Sequence, residues 1–185
     1  MRLSENRTLA AIVLAVCVLT SIILCGGGGL RNDRYDIERV FVNGTDTSLS
    51  SRHSMEAYLQ RCASSASALA EQGVKLGADA ALIERVRSEA DVVEDGDADL
   101  DARYEAYQAL GDAVEALYTQ LESANGEDAL SDALLAYNDF KGAQNLIKND
   151  QYPAMAKEFN ETLASFPASL LAGLFGVEPL NTFGW

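Results

Sequence analysis

The side chains that could carry chemistry are few and scattered in this sequence. His53 is the only histidine, lies in a serine-rich segment and has no second His or Cys near it. Zinc sites need three or four converging ligands. Cys62 falls on an apolar helical pattern, where a lone cysteine is usually a small core residue. We therefore predict neither a metal site at His53 nor a nucleophile at Cys62.

Two further segments resemble binding motifs only in part. The acidic run Asp91–Asp101 would be a calcium-binding loop with Gly96 at its turn, but Val93 and Ala102 then occupy ligand positions. A solvated loop that ends in a helix cap fits better. Gly26–Gly29 lack the Lys-Ser/Thr of a phosphate loop, which favours a flexible joint. No Glu-x-x-His step of a di-metal bundle occurs. We predict no catalytic, cofactor or metal site and no enzymatic activity.

Charge narrows the range of partners. The formal net charge is −14, and residues 1–30 contribute +1, which leaves −15 on residues 31–185. Nucleic acids and anionic lipid headgroups bind through lysine and arginine, so this field repels both. Two of the three cysteines, Cys17 and Cys25, lie in the apolar N-terminal segment, so no disulfide framework is expected.

The N-terminal segment predicts a membrane anchor. Thr8–Leu30 contains no charged residue over 23 positions, and such a helix spans ~34 Å against a hydrocarbon core of about 30 Å. A cleaved signal peptide is the alternative, although small residues suited to cleavage are scarce. We divide the chain into a tail, transmembrane helix and glycine joint over 1–30 and an acidic bundle over 31–185. Basic residues on the two sides nearly balance, and the acidic bundle is expected on the extracytoplasmic side.

Residues 31–185 show helical periodicity throughout, so we predict an all-α fold, an elongated antiparallel bundle of about four helices. Asp79 is expected to cap a segment that follows Gly73 and Gly77, and the pattern leaves open whether 55–93 is one kinked helix or two. The expected core stripes are Met55, Tyr58, Leu59, Cys62, Ala66 and Leu69; Leu82, Ile83, Val86, Ala90 and Val93; and Leu100, Tyr104, Tyr107, Val114, Leu117 and Leu121.

The last long helix has an irregular apolar pattern. Asn125 is expected to cap it. A first stripe (Leu130, Leu134, Tyr137, Phe140, Ile147) and a second (Tyr152, Met155, Phe159, Leu163, Phe166) are out of phase. Asp150 and Pro153 lie between them. Proline removes a helical hydrogen bond, so a kink there would direct both stripes to one core. Phe166 is expected to be buried, with a loss of about 3–5 kcal/mol on replacement by alanine.

The C-terminal segment resembles a signature of the LemA family. An aromatic-Asn pair leads to a Phe-Pro step, an apolar run and a Leu-Phe-Gly step, and Tyr152 stands where the family has an earlier Tyr-Asn pair. The match is most specific over about Leu130–Val177. The residues that carry it are Tyr152, Phe159, Asn160, Phe166, Pro167, Leu170, Ala172, Leu174, Phe175 and Gly176. The resemblance implies a divergent, membrane-anchored helical bundle of a family without an established enzymatic activity.

The same segment also has a direct physical interpretation. Phe166-Pro167 ends a helix, the following residues form a short amphipathic turn, and Gly176 can adopt the left-handed closing conformation. This C-terminal hook would cover the end of the bundle. In the alternative, Phe175, Phe183 and Trp185 insert at the lipid interface.

These observations together predict a scaffold or protein-interaction module at the cell envelope. Its expected partners are the lipid bilayer, through residues 8–30, and another membrane or envelope protein. Nucleic acid is not expected as a partner, and a homo-oligomer is left open. A secreted bundle released by signal cleavage is the alternative, followed by an enzyme whose site is assembled from residues distant in sequence.

Overall fold

The structure of the chain is a computed structural model that describes residues 7–45 and 54–184. In this part of the chain the regular structure is helical and contains no strand, which confirms the all-α class. His53 and Trp185 lie outside the described residues, so the expectations about them stay predictions. The helices are α1 (Arg7–Asn43), α2 (Met55–Lys75), α3 (Ala80–Glu94), α4 (Leu100–Ala124), α5 (Ser131–Lys148), α6 (Tyr152–Ala164) and α7 (Ala168–Phe175), with a 3-10 turn at Glu127–Ala129.

The chain folds as two compact units. The first unit combines the part of the chain up to Glu38 with Ala154–Phe183, and the second consists of Arg39–Pro153 with Gly184. Helices α1 and α6 contribute residues to both units. The division at residue 30 that the sequence suggests stays a prediction.

The second unit is a helical bundle whose core follows the predicted stripes closely on α2 and α3. Helix α2 packs against α3 and α5, and α3 packs against α4. Every residue of the predicted α2 stripe is buried. Residues 55–93 form two helices rather than one, because Gly77 takes a positive φ of 74° in the turn between them. The Asp79 carboxylate accepts hydrogen bonds from the backbone N–H groups of Ala81 and Leu82, which confirms the predicted cap.

Helix α4 begins with a cap at the end of the acidic run, as expected, but the segment that follows α4 differs from the prediction. Asp99 accepts hydrogen bonds from the N–H groups of Asp101 and Ala102. Asn125 does not start the next helix; it terminates α4, and its backbone N–H bonds the carbonyl of Leu121. A 3-10 turn follows, and α5 begins only at Ser131. The cap prediction for Asn125 was therefore wrong.

The predicted irregularity near Pro153 is a break between two helices. Asn149–Gln151 separate α5 from α6, and the Asp150 carboxylate accepts a 2.8 Å hydrogen bond from the N–H of Tyr152. Proline is tolerated in the first turn of a helix, where the N–H groups have no helical acceptor. On α5 the buried positions are mostly small, Ala133, Ala136 and Ala143 beside Phe140 and Ile147, while Leu134 is exposed.

Helix α1 corrects the prediction of a flexible glycine joint. Residues 26–29 are helical within this 37-residue helix. Glycine is a weak helix former, so neighbouring structure must support this stretch. Among the described residues no helix combines the length and apolar character that crossing a bilayer requires.

Candidate functional site

The C-terminal signature residues lie mostly in the first unit. Some of them are buried or form hydrogen bonds within this unit, and others are exposed. Phe159 is buried on α6. Next to it, the Asn160 side-chain amide donates to the carbonyl of Leu180 and accepts from its N–H, both at 2.8 Å. This pair of bonds fixes the extended tail against α6. Tyr152 belongs to the second unit, where its ring packs edge-on against Phe41 at a centroid distance of 4.9 Å.

Helix α7 packs on the glycine run of α1 through one of its faces. A Cβ atom added at Gly26 would lie 2.6 Å from Leu171 Cδ1, and one at Gly27 would collide with the Phe175 ring. A side chain at Gly26 or Gly27 would therefore force Leu171 or Phe175 to shift. The Arg31 guanidinium donates a 2.8 Å hydrogen bond to the Phe175 carbonyl at the helix end. The missing Cβ atoms of Gly26 and Gly27 therefore let α7 approach α1 closely.

The end of α7 follows the sequence prediction. Gly176 closes the helix with a left-handed φ of 61°, and its N–H bonds the carbonyl of Ala172, which is itself buried. Arg34 donates a 3.1 Å hydrogen bond to the carbonyl of Glu178 just beyond the turn. The hook is therefore held on α1 by packing at one face and by two arginines at its end.

A neighbouring side of the hook is exposed. Phe166 is 81% exposed, Leu170 67% and Leu174 64%, and Pro167 beside Phe166 is also exposed. The prediction that Phe166 is buried was wrong, because the chain turns at Pro167 before the α6 stripe reaches it. Replacing Phe166 by alanine should cost under about 1 kcal/mol, as for other surface changes. Phe183, by contrast, is buried, so it does not face lipid.

A buried ion pair in the second unit was not foreseen. Arg103 is 1% exposed. Its guanidinium donates to both carboxylate oxygens of Glu56, at 2.8 and 3.1 Å, and twice to the carbonyl of Val93, at 3.2 and 2.9 Å. The Phe41 ring lies 5.9 Å away. Val93 lies in the last turn of α3, where carbonyls lack helical partners. Arg103 thus joins α2, α3 and α4 by satisfying groups that burial would otherwise leave unpaired.

The sequence did contain a signal for this residue. Arg103 is seven and fourteen positions before Leu110 and Leu117, both fully buried, so it occupies the seam of the α4 heptad pattern. An arginine at such a position needs a buried anionic partner. The first turn of α2 supplies Glu56.

Polar side chains line an open cleft of about 420 Å³ between α4 and α5. The Tyr137 hydroxyl donates a 2.8 Å hydrogen bond to the Glu115 carboxylate, which Lys141 approaches at 3.4 Å. The bond from Tyr137 lowers the pKa of Glu115. Burial, followed by the bond to Glu115, raises the pKa of Tyr137 to about 12. The Tyr118 ring stacks on Tyr137 at 4.1 Å. Both shifts move these groups away from neutral pH, where a general acid or base would titrate.

A groove of about 330 Å³ lies between α2 and α5. The α2 residues that line this groove are small or polar, and Leu135, which is 64% exposed, lines it from α5. Asp132 and Asp139 lie on either side of Leu135, one turn before and after it. Asp139 forms an exposed ion pair with Arg61 at 3.4 Å. The lining residues are Ser64, Ser65, Ala68, Gln72, Asp132, Leu135, Ala136 and Asp139.

Cys62 and the acidic loop have structural roles. Cys62 is buried, and burial raises the pKa of its thiol to about 12, so it is a core residue as predicted. Within residues 7–45 and 54–184 no group of three or more His, Cys, Asp or Glu side chains is placed to hold a metal ion. In the acidic loop, Asp95 accepts a hydrogen bond from the N–H of Asp97 and Asp99 caps α4, the roles expected of a loop and cap.

Comparison with known proteins adds no relative to this description: no protein-family model, curated protein or solved structure matches the chain.

Proposed function

We propose that this chain is a single-pass membrane protein with LemA-like architecture, whose acidic helical bundle binds another membrane or envelope protein on the extracytoplasmic side. The bundle carries out no chemistry of its own in this proposal. The groove between α2 and α5 is the observation on which the binding role rests.

The groove suits an amphipathic helix. Such helices bind by placing apolar side chains into a groove between two helices. Leu135 offers an exposed apolar contact, and Ser64, Ser65 and Ala68 let a partner backbone approach α2 closely. Leu135 is 64% exposed and lines a groove. An exposed leucine in a groove indicates a binding site more strongly than a single leucine on a convex surface does.

Charge defines the partner further. Asp132 and Asp139 flank Leu135, and residues 31–185 carry a net charge of −15. A helix with lysine or arginine at both ends of its apolar stripe complements this arrangement. Because the carboxylates are exposed, their contribution should weaken as salt shortens the screening length below about 8–10 Å.

The anchor is supported by the sequence and by the exposed face of α1. Thr8–Leu30 are free of charge. Ile12, Val13, Leu14 and Val16 are exposed although they are large aliphatic residues. We propose a bilayer as the apolar surrounding that would cover these aliphatic side chains.

The anchor has a direct test. The protein should remain in the membrane pellet through high-salt and carbonate washes and should leave it only with detergent. Release by carbonate, or a mature chain that begins near Gly28, would establish the secreted alternative instead.

Photocrosslinking tests the groove. A photoreactive residue is placed at Leu135 and, as the matched control, at Leu134, an exposed leucine of the same helix that does not line the groove. We expect capture of a membrane or envelope protein at Leu135 only, through a basic amphipathic segment. Asp132→Asn with Asp139→Asn, or rising salt, should reduce this capture severalfold.

Three results would contradict the proposal. Equal capture at Leu134 and Leu135 would show that the captured protein contacts α5 without binding specifically in the groove. Capture through an acidic or non-helical segment would exclude the proposed partner chemistry. Substrate turnover that is lost on replacing Glu115 or Tyr137, with the fold intact, would make the protein an enzyme.

A further inference from the structure

The short hook helix α7 has two apolar faces, and the fold covers only one of them. Leu171 and Phe175 pack on Gly26 and Gly27 of α1. The other side presents Leu170 and Leu174, preceded by Phe166, all more than 60% exposed. Leu170 and Leu174 lie one turn apart, so they share one side of this eight-residue helix. Exposed apolar residues that lie together mark a surface for interaction with a partner or a membrane.

The place where α7 contacts α1 indicates what could cover its exposed side. Gly26 and Gly27 directly follow Leu9–Cys25, the densest apolar stretch of the chain. At about 1.5 Å of rise per residue, the α7 contact lies only ~3 Å beyond Cys25. Interfacial helices bury their apolar face about 5–10 Å into the boundary between headgroups and acyl chains. The hook is therefore held at the level where an anchored α1 would leave the hydrocarbon.

Charge supports the same placement. The segment from Thr162 to Val177, which contains α7, has no charged residue. The first basic residues of α1 after the glycines, Arg31 and Arg34, hold the end of α7 through the carbonyls of Phe175 and Glu178. Arginine side chains are favourable at the level of the lipid headgroups, because the guanidinium group stays hydrated there. The acidic side chains that would repel a membrane are absent from the exposed face of α7.

We propose that α7 is an interfacial membrane element: Phe166, Leu170 and Leu174 insert into the leaflet that surrounds α1, and the Gly26–Gly27 contact sets their depth. This inference rests on the proposed membrane anchor. It assigns the exposed face of the hook to lipid, and not to a second copy of the chain.

The test uses the full-length protein in proteoliposomes. In a Trp185→Phe background, tryptophan is introduced by Leu174→Trp or, in a second variant, Leu170→Trp. Leu135→Trp on α5 is the matched control, because that leucine is also 64% exposed but belongs to the second unit. Carbonate washing first establishes that the protein is anchored, so failure of the anchor is recognised separately.

In anchored protein we expect blue-shifted tryptophan emission for both α7 variants. Lipids brominated near the headgroup end of their acyl chains should quench this emission severalfold more than that of the control. Solvent-like emission without quenching at both α7 positions would overturn the inference. So would a blue shift that brominated lipid does not quench and that accompanies disulfide-linked dimers of a Leu174→Cys variant, because a second copy would then cover the face.

Discussion

The buried pair of Arg103 and Glu56 allows the most direct test of the fold. Arg103→Met keeps much of the side-chain volume and removes the charge. It deletes both hydrogen bonds to Glu56 and both to the carbonyl of Val93. The Glu56 carboxylate, whose side chain is 16% exposed, would be left without its cation.

The expected loss is large because one partner stays behind. Removing one member of a buried ion pair costs about 3–5 kcal/mol, since the remaining charge is desolvated without compensation. For a chain of this size each kcal/mol lowers the melting temperature by about 2–4 °C, which predicts a decrease of roughly 6–20 °C. Circular dichroism of the full-length chain in mild detergent, with heat and with urea, measures this change.

Two controls isolate the buried charge. Arg61→Met removes an arginine from the ion pair with Asp139, in which both side chains are about half exposed, and exposed pairs are worth only about 0–1 kcal/mol. The double variant Arg103→Met with Glu56→Leu should recover much of the loss, because no unpaired charge remains. A loss for Arg103→Met as small as that for Arg61→Met would refute the reasoning.

Two further predictions concern the glycine helix and the cleft between α4 and α5. Gly27→Ala should destabilise the full-length chain by about 1–3 kcal/mol by displacing Phe175, whereas Gly28→Ala, with no atom within 4 Å of its added Cβ, should be neutral or stabilising by about 0.5–1 kcal/mol; equal effects in thermal unfolding would contradict the proposed packing. The pKa of Tyr137 is raised to about 12, against 10.0 for free tyrosine. The folded state therefore favours the neutral phenol, and the stability that this contributes is fully present below pH 10 and is lost as the pH rises through about 12. Unfolding measured against pH should therefore show a decline in this range that Tyr137→Phe reduces, and an unchanged decline would exclude the bond to Glu115 as its cause.

The helical character and several boundaries could be predicted because they depend on local chemistry. All six residues that the three-and-four spacing of apolar residues predicted for the core face of α2 are buried. Asp79 caps α3 as expected, since a carboxylate can reach the free N–H groups of the next turn. The acidic run was expected to end in a helix cap, and the structure places that cap at Asp99. The break beside Pro153 was also located correctly, although it separates two helices where a single kinked one was expected.

The errors arose where distant residues decide the environment. Gly26–Gly29 looked like a joint because glycine disfavours helices on its own. In the structure, Leu171 and Phe175 occupy the space that side chains at Gly26 and Gly27 would fill. Phe166 continued an apolar stripe by spacing, yet the stripe no longer faces a core where it occurs.

The sequence by itself determined the helix class, the cap at Asp79, the acidic charge and the scarcity of reactive groups, because each depends on residue type or on neighbours within a turn or two. Only the tertiary structure paired Arg103 with Glu56, 47 positions away, and created the groove beside Leu135. It also decided which face of α7 is covered by α1 and which is left exposed. The periodicity of a helix identifies its apolar faces, but which surface covers each face is settled by helices that are far apart in the chain.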